Sequence, residues 1–189
     1  MDFITEIIKT HGRNAKSGLE IASGSGQHII SFAQEMPQIK WTPSEIKDDA
    51  LASISEYITD SGLTNISPPK RVDCLERSWE LDRYDIIANI NMIHISPYNA
   101  CEGLMMLAGK YLNPGGVLCL YGPFFKKNEA TAPSNLKFND WLKNQDNSWG
   151  VRNLEDVIET ANSHGMAFER ELPMPANNLT IIFRKTGGE

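Results

Sequence analysis

The sequence predicts an α/β fold built on a mostly parallel sheet, and three observations predict it. Short apolar runs alternate with stretches of helical periodicity along the chain. Two glycines, Gly24 and Gly26, fall between the first apolar run and the first strong helical pattern. The last two strand-like runs, about Ala167 to Leu172 and Leu179 to Arg184, lie too close for a crossover helix and therefore read as an antiparallel hairpin. The length of 189 residues suits a single domain spanning residues 1–189.

Each element follows from local pattern. Phe3 to Lys9 reads as a short helix and Leu19 to Ala22 as a short buried strand. Gln27 to Glu35 places Ile29, Phe32 and Ala33 on one helical face. Ile39 to Trp41 is a second strand, expected to stop before Pro43. Leu51, Ile54 and Ile58 recur at helical spacing, with Gly62 as the stop. Val72 ends a third strand, and Tyr84 to Ile90 is a fourth. Ser96-Pro97 marks the start of a helix carrying Leu104, Leu107 and Ala108. Asn113-Pro114-Gly115-Gly116 signals a turn before a fifth strand, Val117 to Tyr121. Gly122 to Lys137 is polar and reads as loop. Asn153 caps a helix with Leu154, Val157, Ile158 and Ala161 inward and Gly165 at its end.

Composition narrows the function classes. A formal net charge of −6 disfavours nonspecific nucleic-acid binding, which needs a cationic footprint. No run approaches the roughly 18 apolar residues of a membrane span. The first residues lack the pattern of a secretion signal, so cytoplasm or nucleus is the expected location. Cys74, Cys101 and Cys119 have no metal-ligand spacing and read as free thiols, so no metal is expected.

The candidate chemistry lies at the strand ends. Gly24 and Gly26 permit a tight turn and let a ligand approach the backbone without a Cβ in the way. A dinucleotide fingerprint would want glycine or alanine at position 29, where the chain has Ile29. The pattern acid-x-Gly/Ala-x-Gly-x-Gly, filled by Glu20, Ala22, Gly24 and Gly26 with Ser23 between, matches methyltransferases better. Glu45 follows the second strand, where a carboxylate can accept two hydrogen bonds from ribose hydroxyls. Asp73 follows the third and can accept one from an adenine amino group. A tight structural turn, a solvated helix-start glutamate and an exposed loop aspartate are the bland alternatives at these three places. Their order on successive strand ends favours a ligand site.

After the fourth strand come Asn91 and His94: Asn91 is placed to line the reactive end of a cofactor and His94 to act as base or orienting group. A histidine filling a loop is the commoner case. Tyr98 and Tyr121 are further candidates, with core packing as their alternative. Arg13-Asn14, Ser134-Asn135 and Asn177-Asn178 supply polar groups that a plain scaffold does not need, although asparagine also makes turns well. The expectation is that Asn91, His94, Tyr121 and at least one of Asn177 and Asn178 line one cleft beside the glycine loop.

Nearly the whole chain resembles an uncharacterised family of class I methyltransferase-fold proteins found in bacteria and eukaryotes, whose vertebrate members are called methyltransferase-like. The resemblance rests on Arg13-Asn14-Ala15, LEIASGSGQH (Leu19 to His28), WTPSE (Trp41 to Glu45), NMIHISP (Asn91 to Pro97) and Glu102-Gly103-Leu104. Tyr121-Gly122-Pro123, APSN (Ala132 to Asn135), WGVR (Trp149 to Arg152) and MPANN (Met174 to Asn178) continue it in order. It implies a Rossmann-like seven-stranded sheet of order 3-2-1-4-5-7-6 with a reversed last strand, and S-adenosylmethionine (SAM) as cofactor. It implies that Glu20 and the glycines serve the methionine part, Glu45 the ribose and Asp73 the adenine; Ala22, Ser23 and Asn91 are expected to border the same cofactor. One departure stands out: the resemblance implies a full helix after Arg13-Asn14, whereas Ser17-Gly18 follow almost at once. The helix before the first strand is therefore expected to be shortened and one sheet face less covered.

The expected function is that of a SAM-dependent methyltransferase acting on a small-molecule or protein acceptor, with Asn91, His94 and Tyr121 at the reacting centre and Arg13, Asn14, Asn177 and Asn178 on the acceptor. The competing expectation is a noncatalytic protein that keeps the fold for SAM or partner binding. A nicotinamide oxidoreductase is a distant third, opposed by Ile29 and the C-terminal hairpin. Asn91-Met92-Ile93-His94 is not the Asn/Asp-Pro-Pro-aromatic string of base amino-methylating enzymes.

Overall fold

The computed structural model describes Asp2 to Gly187. The first strand, β1 (Ser17–Ile21), sits centrally because it is buried on both faces and pairs on both edges. On one edge lies β2 (Lys40–Glu45), followed outward by β3 (Lys70–Arg71). On the other lie β4 (Tyr84–Ile90) and β5 (Leu112–Gly122). The hairpin strands β6 (Met166–Met174) and β7 (Asn178–Lys185) complete the sheet in the order β3-β2-β1-β4-β5-β7-β6. β7 is antiparallel to β5 and to β6, and the other pairings are parallel. This is the Rossmann-like methyltransferase architecture that the sequence predicts.

Alternation along the strands fills two apolar layers. Leu19, Ile87 and Leu118 face one layer with Leu104 and Leu107 of α4 (Tyr98–Tyr111) and Val157 of α6 (Leu154–Ser163). Ile86, Ala88, Val117 and Cys119 face the other. There they meet Ile29 and Phe32 of α2 (Gln27–Glu35), and Ile4 and Ile8 of α1 (Asp2–His11). The third helix on the sheet flank is α3 (Asp48–Ser61), whose Ile54 is fully buried. All three cysteines are free and buried, and burial pushes each thiol up to about 12, so they serve packing.

Four sequence expectations need correction. The sheet face expected to be less covered is covered: α1 lays Ile4 and Ile8 into the second apolar layer, and only a short connection separates it from β1. β2 does not stop before Pro43 but runs through it to Glu45. Trp41 and Glu45 bond toward the β3 side, Trp41 to Asn65 and Ser67 and Glu45 to Val72. By alternation Pro43 also faces that side, where its missing N–H meets only a two-residue edge strand. The Asn113–Gly116 turn does not precede β5 but is carried inside it as a bulge, with Tyr84 opposite Leu112 and Ile86 opposite Val117.

The largest miss is helix α5 (Pro133–Gln145), in a stretch partly read as loop. Its buried positions are Asn135, Asn139 and Leu142, so two amides occupy the stripe where apolar periodicity is sought. Outward it shows Leu136 and Trp141, which inverts the usual pattern. Pro133 in its first turn was the available signal.

Gly103 sets how closely α4 approaches the loop after β3. A Cβ there would lie 1.7 Å from the Cys74 carbonyl oxygen. Gly103→Ala is therefore expected to destabilise the protein by about 1–3 kcal/mol despite alanine's better helix propensity. Chemical denaturation of the two proteins measures it.

Candidate functional site

The sheet reverses direction of progress at β1: the chain moves outward to β2 and β3, then returns to β4 on the other side. Loops leaving the carboxyl ends of β1 and β4 therefore diverge and leave a crevice. The β1 loop winds through three left-handed residues, Ala22 (φ 58°), Gly24 (φ 58°) and Gly26 (φ 90°), before α2 begins. Gly24 opens onto free space, with nothing within 4 Å of a notional Cβ.

The loop is pinned from below. The Ser44 hydroxyl donates to the Glu20 carbonyl at 2.7 Å, and the Ser23 amide donates to the Ser44 carbonyl at 2.8 Å. The Ser44 amide in turn donates to the Ser23 hydroxyl at 3.2 Å. On the far side, the Asn89 side-chain amide donates to the Ile21 carbonyl at 2.9 Å. The sequence reading named neither Ser44 nor Asn89.

Two carboxylates face this loop. Glu45 turns back across it: Oε2 accepts from the Gly24 amide at 3.0 Å and Oε1 from the Ile46 amide at 2.7 Å. Glu20 is fully buried, and neither carboxyl oxygen has a hydrogen-bond partner. Burial pushes its carboxyl up to about 7; the Ser23 hydroxyl works against that shift and the Glu45 charge adds to it. His28 Nδ1 stands 3.7 Å from Glu20 Oε1, and burial lowers that imidazole's own pKa. Asp73, after β3, spends one oxygen on the Leu75 amide at 2.8 Å, while its carbonyl accepts from the Trp79 indole at 2.7 Å.

Across β1 lies the second half of the site. Ile21 pairs with Asn89, and Asn91 follows two residues later, just past the end of β4. Asn91 is left-handed (φ 62°) and is held by its own amide donating to the Tyr121 carbonyl at 2.9 Å. With Pro123, Ser134, Asn135, Phe138 and Asn178 it lines a cleft of about 270 Å³. The Asn178 amide donates to the Tyr121 hydroxyl at 3.0 Å, and the Asn177 amide to the Ser134 hydroxyl at 2.9 Å. The Asn135 amide donates to the Asn177 carbonyl at 3.0 Å, which ties α5 to the hairpin turn. Asn91, Tyr121, Asn177 and Asn178 thus come together around one cleft.

Three expected residues do not join them. His94 is fully buried behind Gly122, where a Cβ would meet its Nε2 at 2.5 Å, and neither ring nitrogen has a partner. It packs edge-on to Phe124, with centroids 5.0 Å apart. Burial, helped by the Arg152 charge, pushes it down to about 3; it sits beside Asn91, whose Oδ1 crowds the same space over Gly122, but is not among the residues that line the cleft. Arg13 and Asn14 lie at the opposite end of the strands, in a groove of about 320 Å³ shared with Asp85, Gly115 and Arg184. The short connection from α1 to β1 keeps them there. Phe138, which lines the cleft, and Arg152, which donates from Nε to the Ile93 carbonyl at 2.7 Å, were not singled out from sequence. Arg152 lies in the WGVR string, and a cation among apolar residues was the signal for it.

Residues 2–185 match a family model described as a protein of unknown function (DUF938). Among solved structures, the chain is similar to an O-methyltransferase family protein from Burkholderia thailandensis (TM-score 0.86, 15% identity, 100% of this chain and 55% of that one). It is similar to an O-methyltransferase family 2 protein from Planctomyces limnophilus in complex with apigenin (TM-score 0.78, 16% identity, 98% and 61%). It is also similar to a candidate sarcosine dimethylglycine methyltransferase from Galdieria sulphuraria (TM-score 0.76, 16% identity, 98% and 84%). The chain spans about half the length of the first of these. At such identities the likeness shows the fold. No described helix is long and apolar enough to cross a membrane.

The buried Glu20 carboxyl makes a pH-dependent contribution. Its folded pKa of about 7 lies above the ordinary 4.5, so the folded state holds the extra proton between these values. Stability is therefore expected to fall as pH rises from 4.5 to about 7, by roughly 3 kcal/mol from this group. Glu20→Gln should flatten that slope, and denaturation midpoints at pH 5 and pH 8 for both proteins test it.

Proposed function

The chain belongs to the DUF938 family, and we propose that it is a SAM-dependent methyltransferase whose cofactor lies on the Ala22–Gly26 loop. The observation that carries this reading is the crevice itself. A left-handed glycine loop opens onto free space, with a carboxylate from the next strand end turned onto it at 3.0 Å. The residues present fit such a cofactor. The buried Glu20 carboxyl has both oxygens unpartnered, and a cationic amino group nearby would relieve that deficit. Glu45 stands where ribose hydroxyls can replace or share its backbone donors, and Asp73 retains an oxygen free of the Leu75 contact for an adenine amino group.

SAM supplies a methyl group on a sulfonium sulfur, and the protein's task is to hold an acceptor in line with it and exclude water. Asn91 lines the amide cleft just past the end of β4, the strand paired with β1, so in this reading it orients the reactive end. Tyr121 and Asn178, joined by their hydrogen bond, and Asn177 through Ser134, shape the acceptor side. A small-molecule or protein side-chain acceptor fits a cleft of about 270 Å³.

A second reading, a noncatalytic SAM-binding or partner-binding protein, is favoured by one observation. Among the described residues, the cleft lining carries amides, a hydroxyl and apolar groups but no carboxylate, ammonium or imidazole. Methyl transfer by positioning alone remains compatible with that lining.

Calorimetric titration with SAM followed by a methyl-transfer screen separates the two readings. Gly24→Val and Gly26→Val are expected to abolish SAM binding, since both positions are left-handed and Gly24 borders the open space. Glu45→Ala should weaken it by about 1–3 kcal/mol. SAM affinity unchanged by all three substitutions would refute the site.

A further inference from the structure

The acceptor cleft has a chemical signature of its own. Its polar groups are neutral: the amides of Asn91, Asn135 and Asn178 and the hydroxyl of Ser134. Its apolar wall is Phe138, and the Phe138 ring stacks on Trp141 at 5.9 Å between centroids with planes 13° apart. Trp141 is 54% exposed and does not itself line the cleft. Through its stacking on Phe138 it extends the cleft's aromatic wall outward. An exposed indole stacked on a cleft-lining ring is a surface for a flat partner.

The groups able to take a proton do not line the cleft. His94 is fully buried against Gly122, where its Nε2 and the Asn91 Oδ1 crowd the same space, and burial lowers its pKa to about 3. Glu20 is buried beneath α2 beside His28. Glu45 belongs to β2, separated from the β4 end by β1. Alcohols and alkyl amines carry their reactive proton or charge at neutral pH and would need a base here.

Resting on the SAM reading above, we infer that the acceptor is a planar, unsaturated small molecule whose nucleophile is already deprotonated at neutral pH, an aromatic thiolate or a comparably acidic heteroaryl oxygen. Phe138 and Trp141 hold its ring, and the asparagine amides hold its polar edge. The acceptor loses its proton to solvent before binding. Its lone pair then forms the new bond to the methyl carbon as the bond from that carbon to the sulfonium sulfur breaks. That electron pair stays on the sulfur, leaving a neutral thioether and a methylated acceptor.

Three measurements on the full chain test this: SAM binding by calorimetry, probe binding by calorimetry, and product by mass spectrometry. The probes are 4-nitrobenzenethiol and, as a planar acceptor that keeps its proton, phenol. We expect methylated 4-nitrobenzenethiol and no methylated phenol. Trp141→Ala should raise the Kd for 4-nitrobenzenethiol roughly threefold to tenfold, with SAM affinity unchanged. Since Trp141 is exposed, this variant keeps the core intact. Phenol methylated as readily as the thiol would overturn the inference, because a base would then be at work. SAM binding with no affinity for the planar probe would overturn it while leaving the cofactor reading standing. A dimer that Trp141→Ala converts to monomer, with probe affinity unchanged, would reassign the exposed indole to an interface between copies. Failure to bind SAM would sink the cofactor reading and this inference together.

Discussion

Backbone polar groups buried in a sheet must find partners where a strand ends, and at β1 this demand shapes everything around it. β1 is paired on both edges, so its carboxyl end cannot turn to solvent for relief. Ser44 and Ser23 satisfy one flank of the exit, and the Asn89 side chain satisfies the other. The chain then leaves through left-handed residues, because the pinned ends leave no wider path. The open loop is the product of that closure.

The two halves of the crevice differ in electrostatic character. Carboxylates gather on the β1 and β2 side, one of them desolvated to the point that its proton is held to about pH 7. Amides gather on the β4, β5 and hairpin side. The first half is acidic and the second is lined by neutral polar groups. The division follows strand order alone: Glu20 and Glu45 come from adjacent strands on one side of the switch point, Asn91 and Tyr121 from strands on the other.

Much of this was legible in the sequence, for physical reasons. β1, β4 and the last strand, β7, announced themselves by apolar runs, since strands buried on both faces must be apolar. Glu45 was placed by its position after β2, and its carboxylate does face the loop. His94 illustrates what sequence reading leaves open: whether an imidazole fronts a cleft or fills the space behind Gly122 depends on packing from Phe124 and on the Gly150 amide bound to its own carbonyl. Arg13 and Asn14 were misplaced because a motif carries its neighbours' roles only when the intervening chain is intact. Here the connection to β1 is too short to bring them to the strands' other end. Helix α5 was missed because its inward face is amide, which no hydrophobic periodicity reports.

That inverted helix has a consequence for cooperativity. A helix anchored by burial melts only with the core it covers, but α5 is anchored by directional bonds, from Asn135 to Asn177 and from the Val151 amide to Asn139 at 3.1 Å. Of its side chains only Leu142 is both apolar and buried. Such a segment opens at a free energy well below that of global unfolding, as a unit of its own. One wall of the cleft thereby rests on hydrogen bonds from a helix, whereas the glycine loop rests on the sheet itself. Hydrogen bonds in place of hydrophobic contacts make the fold modular where it needs to be.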